Sequence, residues 1–263
     1  MSERVGTAVI ILVLVLGAGL LLTAVTRVQR AANQMACQNN IRQISIALLN
    51  YYDSYGSFPA GTVPNNNLPI AKRLSWLYAI DPFVESRGLD APVWKEKNTA
   101  AWDAEDNSPR VCAGLRVYLC PANPNRTEPG TPSLTHYVGI AGLGEDAAQL
   151  LKEDRRAGLF GYDRRTKLED IKDGTSHTMI LAETALDNGC WAAGGPPTVR
   201  GLDTTRQPYL GAAKQFGGAH PSLTVTTFTD CSVHVLSDSM SHEVLQALVT
   251  MGGGESVPDF PRE

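Results

Sequence analysis

The sequence predicts an α+β fold: a long N-terminal helix whose second half packs on an antiparallel β-sheet, with long loops between the strands. Three observations lead there. Residues Val5 to Thr26 carry no charge, and no Pro or Gly interrupts the chain from Leu20 to Tyr55. Two late segments, Leu223–Phe228 and Ser232–Leu236, alternate apolar and polar residues and are rich in β-branched side chains, as half-buried strands are. Finally, 24 glycines and 16 prolines punctuate the chain too densely for an all-helical protein.

The helix comes first. Thirteen of the 21 residues from Val5 to Val25 are Leu, Ile or Val. Each favours the bilayer centre by roughly 0.3–0.6 kcal/mol, and about 20 such residues cross the hydrocarbon core. A buried core helix is a competing reading, but 22 residues without a polar face are too long and too uniform for one. A cleaved signal peptide has an apolar stretch of only about 7–15 residues followed by a small-x-small site, and no such site follows here. An uncleaved anchor is therefore expected. Beyond it, Cys37, Ile41, Ile44, Leu48, Tyr51 and Tyr55 recur at spacings of three and four, the stripe of an amphipathic helix. One helix from near Val5 to about Tyr52, on the order of 70 Å long, ends at Gly56, Pro59 and Gly61; two helices with a break near Gln29–Asn33 is the competing reading. The chain thus divides into a tail (1–4), a membrane span (5–26), an amphipathic continuation (27–55), a globular head (56–255) and a C-terminal tail (256–263). A further short helix is expected at His242–Met251, with Val244, Leu245, Leu248 and Met251 on one face and Gly252 to Gly254 ending it.

Charge is nearly balanced, 27 acidic against 23 basic side chains, which argues against nucleic acid as a partner. The five cysteines show no CxxC spacing, so no zinc site is expected from the sequence. Arg4 stands before the span, and Arg27, Arg30 and Arg42 stand after it. By that count alone the head would be cytoplasmic.

Several blocks resemble a large bacterial family of unknown function, whose members have a prepilin-like N-terminal helix and a C-terminal signature of His, nine residues, then Asp-Gly. The resemblance rests on Met35-Ala36-Cys37-Gln38-Asn39-Asn40-Ile41-Arg42-Gln43-Ile44, on Leu48-Leu49-Asn50-Tyr51-Tyr52-Asp53, and on Gly56-Ser57-Phe58-Pro59-Ala60-Gly61. It continues through Ser75-Trp76 to Phe83-Val84-Glu85, Tyr118-Leu119-Cys120-Pro121-Ala122-Asn123-Pro124, Tyr137-Val138-Gly139-Ile140-Ala141-Gly142 and Asp170-Ile171-Lys172-Asp173-Gly174-Thr175-Ser176-His177-Thr178, and ends on His220-Pro221 and Asp230. It implies a pilin-like fold and a head on the extracytoplasmic side of the inner membrane behind a single-pass anchor, as in type II secretion and type IV pseudopilins. It implies no catalytic activity. It also implies a helix-to-head disulfide, Cys37–Cys120, because family members commonly carry Cys there. Cys190 and Cys231 stand where the family has other residues, Pro and Gly; two unusual cysteines together suggest a second bridge, Cys190–Cys231, leaving Cys112 free or competing for Cys120. One departure bears on assembly. Prepilins follow the Gly with Phe-Thr-Leu-x-Glu, whereas Gly6 here precedes Thr7-Ala8-Val9-Ile10-Ile11.

The signature residues are His220, Asp230, Asp173 and Gly174. Thr229-Asp230-Cys231 is expected to be a hairpin turn, with Cys231 where positive φ suits Gly. His220 and Asp230 are more readily a packed or capping His and a turn residue than a metal site or catalytic dyad. Asp173-Gly174-Thr175-Ser176 reads as a turn before a strand at Met179-Ile180-Leu181; Asp170 and Asp173 offer oxygens to Ca²⁺ but lack the EF-hand pattern. Ser176 and His177 lack a nucleophile elbow. Gly194-Gly195-Pro196-Pro197 and Gly217-Gly218 are not phosphate loops. Arg155, Arg156, Arg164 and Arg165, around Phe160-Gly161-Tyr162, read as a solvated basic face before an anion site. The expectation is a non-enzymatic structural or interaction protein, with no catalytic residues, cofactor or metal. Its partners are membrane lipid and related pseudopilin-like subunits or envelope proteins, with any small-molecule ligand unknown. A displayed carbohydrate-binding module using Trp76, Trp94, Trp102 or Trp191, and a hydrolase using His220 and Asp230, are the alternatives.

Overall fold

A computed structural model describes residues 2–84, 100–113, 115–125, 127–212 and 214–254, with side chains in the first helix described from Leu12 onward. Trp94 and Glu85 lie outside the described residues. Helix α1 runs unbroken over Ser2–Tyr55, 54 residues and about 80 Å at 1.5 Å per residue; the break near Gln29–Asn33 does not occur. From Leu12 to Val28 its Leu and Val side chains stand bare all round, Leu20 being 73% exposed. This is the only helix among the described residues long and apolar enough to cross a membrane. Its length and composition are those of a membrane span or a signal anchor.

From residue 37 on the same helix becomes a core element. Cys37, Ile41, Ile44 and Leu48 are fully buried and Tyr51 nearly so. Tyr55 closes the stripe but is half exposed, its ring 4.5 Å from that of Tyr51 and 6.3 Å from that of Phe83. Ser45 shares the buried face. Its hydroxyl donates to the Ile41 carbonyl at 3.0 Å and so accepts from the Thr227 hydroxyl at 2.7 Å, tying helix to sheet. Gly56, at φ 71°, turns the chain off the helix by donating its N–H to the Tyr52 carbonyl.

Two short helices follow, α2 (Trp76–Ile80), capped by the Ser75 hydroxyl, and α3 (Ser108–Cys112). The sheet has five strands: β1 (Tyr137–Leu143), β2 (Met179–Glu183), β3 (Val199–Leu202), β4 (Leu223–Phe228) and β5 (Val233–Ser237), in the order β3-β1-β2-β4-β5. β1–β2, β2–β4 and β4–β5 are antiparallel, but β1–β3 is parallel, so the expected purely antiparallel sheet is in fact mixed. A parallel pair needs a long crossover; here it contains the loops of residues 144–178, strand β2 and the segment leading to β3.

Alternation along the strands sorts the core into two layers. Tyr137 and Ala141 of β1 and Leu181 of β2 face α1, Trp76, Phe160 and Trp191. Val138, Ile140, Met179 and Ala182 face the opposite way, against Phe216, Phe228 and the final helix α4 (His242–Leu248). Both faces of the central strands are covered, which is why β2 is buried at every residue. α4 is capped by Ser241, whose hydroxyl accepts from Val244 N–H at 3.2 Å. It stops at Leu248 rather than Met251 because the Met251 backbone is engaged elsewhere. Its N–H donates to Ala157, and its carbonyl accepts from Lys172 and Asp173.

Candidate functional site

The two halves of the expected helix-to-head bridge meet on the buried stripe of α1. Cys37 projects from α1, and Cys120 follows the turn at Arg116–Tyr118. They form a disulfide across 83 residues with Cα atoms 5.3 Å apart, within the normal span. The loop is held on both sides of Cys120: Asn40 of α1 donates to the Leu119 carbonyl at 3.0 Å, and Cys120 N–H donates to His136 Nδ1 at 3.0 Å.

Two further polar side chains converge on this bridge. His220, just before β4, places Nε2 3.4 Å from Cys120 Sγ and 3.6 Å from Glu183 Oε1. Glu183 is the last residue of β2, fully buried, and pairs in register with Tyr137 of β1. Neither of its carboxylate oxygens has a hydrogen-bond partner of good geometry. It fits because residue 218 is glycine: a Cβ there would lie 2.0 Å from the Glu183 carboxyl carbon. Burial, opposed by the Val225 backbone N–H, pushes the Glu183 carboxyl up to about 8. Burial lowers the His220 pKa, and it raises that of Tyr137, helped by the neighbouring Glu183. Both shifts in the Glu183–His220 pair run toward the uncharged forms, the direction opposite to that of an ion pair. Cys37, Cys120, Glu183 and His220 offer four ligand atoms within 4.8 Å of one another, all buried.

The other signature residues serve the fold. Asp230 and His220 do not meet, standing at opposite ends of the six-residue strand β4, roughly 20 Å apart at about 3.3 Å per residue. The Asp230 carboxylate accepts from the Ser232 N–H at 2.9 Å and from its hydroxyl at 2.6 Å, closing its own turn. Asp173 accepts from Gly253 N–H and Gly254 N–H at 2.9 and 3.0 Å, clamping the chain after α4 to the Gly174 turn. Asp170 accepts from Lys152 Nζ and Lys167 N–H, each at 2.9 Å. Both carboxylates are thus engaged by N–H donors. Ser176 Oγ and His177 Nδ1 meet at 3.1 Å on the exposed turn that follows Gly174.

The second bridge is a correction. Cys190 and Cys231 are both free thiols, as is Cys112. Cys231 occupies the β4–β5 turn at φ 65°, which fixes its direction. Cys190 is buried in the α1-side layer, its backbone bridged to Leu134. Burial raises both thiols to about 11, so neither is an activated nucleophile.

The aromatic and basic candidates are also structural. Trp76 and Trp191 are core residues whose indole N–H groups donate to the Thr198 and Val111 carbonyls. Trp102 donates to Ala71 beneath Lys72. A cleft of about 760 Å³ opens beside Leu150, Lys152, Tyr162 and Arg165, and among the described residues no tryptophan lines it. Of the arginines, Arg164 is buried, not solvated. Its guanidinium donates to the carbonyls of Leu150, Ala141 and Gly158 at 2.5–3.0 Å and to that of Phe160.

Glu183 escaped the sequence reading. The available signal was a lone carboxylate ending the apolar run Met179-Ile180-Leu181-Ala182, where a solvated loop residue and a buried acid look alike.

The sequence model of one protein family, described as a protein of unknown function (DUF1559), matches residues 27–243. No curated protein and no solved structure matches the chain.

Proposed function

The chain belongs to the family of unknown function DUF1559, and from that premise we propose that it is a membrane-anchored, pseudopilin-like structural or interaction protein of the bacterial cell envelope, and not an enzyme. The observation that carries this reading is the dual use of α1. One uninterrupted helix is bare and apolar in its first half and forms the spine of the head in its second. That is the design of a pilin subunit, in which anchor and head are one rigid body.

The buried Cys37–Cys120 bridge supports an oxidising compartment, and so an extracytoplasmic head behind an inner-membrane anchor. It outweighs the three arginines after the span, because a disulfide answers to the redox state around the head, whereas a count of four arginines is a statistical bias. Partners under this reading are membrane lipid and related subunits or envelope proteins that meet the head or the exposed apolar helix.

The sequence after Gly6 lacks the Glu that seats prepilins in a filament. An acidic residue in lipid is costly and is retained for a partner; without it the subunit stays anchored as a single copy. Mass spectrometry of the mature N-terminus tests this, with an uncleaved chain expected. A methylated residue following Gly6 would overturn it. Protease added to intact spheroplasts should digest the head, and a protected head would reverse its proposed orientation.

A further inference from the structure

We propose that the dithiol form of this protein is a zinc protein, holding Zn²⁺ with Cys37, Cys120, Glu183 and His220. The inference rests on the geometry of the cluster and does not depend on the proposed pseudopilin role.

A closed zinc site needs four donors of mixed S, N and O type at tetrahedral spacing. With Zn–S about 2.3 Å and Zn–N and Zn–O about 2.0–2.2 Å, tetrahedral donors stand roughly 3.3–3.8 Å apart. His220 Nε2 already lies 3.4 Å from Cys120 Sγ and 3.6 Å from Glu183 Oε1. All four donor atoms fall within 4.8 Å of one another. The two sulfurs, covalently bonded in the disulfide, move apart to ordinary van der Waals contact once reduced, and that contact is close to the S···S edge of a zinc tetrahedron.

The second observation is Glu183 itself. A fully buried carboxyl with neither oxygen in a hydrogen bond of good geometry is expensive in a folded protein. The chain keeps residue 218 as glycine where a methyl group would collide with that carboxyl. Such a group, aimed at an imidazole and two sulfurs, has the chemistry of a metal ligand. The mixed set excludes Ca²⁺ and Mg²⁺, which take oxygen, and suits Zn²⁺.

The two states exclude one another. Reduction of the Cys37–Cys120 bond by a dithiol donor takes two electrons and two protons; the S–S bond breaks, two thiols form, and the donor becomes the disulfide. Zn²⁺ then displaces the two thiol protons and the Glu183 carboxyl proton to solvent as Zn–S and Zn–O bonds form. In the reverse direction a disulfide-bonded donor takes the two electrons by thiol–disulfide exchange: the Cys37–Cys120 bond re-forms, the donor leaves as two thiols, and with two of its four ligands gone the Zn²⁺ departs as Glu183 takes up a proton. The compartment of the head therefore selects disulfide or zinc at one location.

The test uses the full-length protein in detergent, prepared in parallel as the disulfide and after reduction by a phosphine. Each form is incubated overnight with Zn²⁺ or Co²⁺ and freed of excess metal. One Zn²⁺ per chain is expected in the reduced form and none in the oxidised form. The oxidised form retains Cys112, Cys190 and Cys231 as thiols, so it controls for binding there. Co²⁺ should give a tetrahedral d–d spectrum with the charge-transfer intensity of two thiolates. His220→Gln and Glu183→Gln should each weaken Zn²⁺ binding by at least about 10-fold, since ligand loss exceeds the 10–100-fold effect of outer partners. The proposal is overturned by a reduced form that binds no stoichiometric zinc, by an oxidised form that binds it equally, by a Co²⁺ spectrum that is not tetrahedral or lacks two thiolates, or by both variants keeping wild-type affinity. The Co²⁺ spectrum is read on the wild-type chain, so it decides the question even where a variant fails to fold.

Discussion

Cys231 holds φ 65° at the β4–β5 turn, a conformation that costs an L side chain roughly 1–2 kcal/mol. Cys231→Gly removes that strain but adds backbone freedom to the unfolded chain, worth about 0.4–1 kcal/mol in the other direction. A net gain of about 0.5–1 kcal/mol is expected, read from the urea midpoint; a loss would mean that the half-buried thiol contributes packing the turn needs. Glu183 gives a second test at this scale. Its carboxyl titrates near 4.5 when unfolded and about 8 when folded. Between those values the folded chain holds the extra proton, so its stability falls as pH rises, being fully present below the lower value and lost through the upper one. In the oxidised protein, urea midpoints should fall more steeply across this window for the wild type than for Glu183→Gln; parallel curves would mean that the folded protein already ionises Glu183. Sequence could not supply this residue's role. The positions of His220 and Glu183 are 37 apart in sequence, and only the β2–β4 pairing brings them together.

At the scale of elements, the disulfide joins α1 to a loop that the Asn40 and His136 hydrogen bonds also hold. Closing so long a loop stabilises by about 4.5 kcal/mol in the chain-entropy account, more than such bonds commonly deliver. Cys37→Ser with Cys120→Ser should therefore cost about 2–4 kcal/mol, read from denaturant unfolding, and amides of residues 37–55 should exchange faster; unchanged exchange would mean that packing alone holds the helix. What was legible in the sequence follows the same division between local and distant pairing. The stripe of α1 and strand β4 were readable, because helical spacing and alternation are local signals. Strand β3 was not. Val199-Arg200-Gly201-Leu202 has no alternation to declare it, and it is a strand because β1 lies beside it. The Cys190–Cys231 bridge failed for a related reason. Two atypical residues need not answer one another when a turn conformation fixes one and a buried backbone bridge holds the other.

For the whole molecule, among the described side chains none from Leu12 to Thr26 enters the core of the head, which begins at Cys37. Removing residues 1–26 should leave a head that stays in solution without detergent and unfolds within about 1 kcal/mol of the full chain. Aggregation of this fragment, with loss of its circular dichroism, would show that the apolar half supports the fold. The full chain should partition into the membrane fraction and resist alkaline carbonate extraction, as a spanning helix does.

Between the bare apolar stretch and Cys37 lie ten helical residues, 27–36, that are mostly exposed. At 1.5 Å each they set a stand-off of roughly 15 Å between the apolar stretch and the bridged head. One unbroken helix forms this spacer and the bridge pins that helix to the head, so the head stands at a set distance from the apolar stretch. The apolar half of the helix and the head are consequently one rotor, so turning the first turns the second by the same angle, like a flag on a keyed mast.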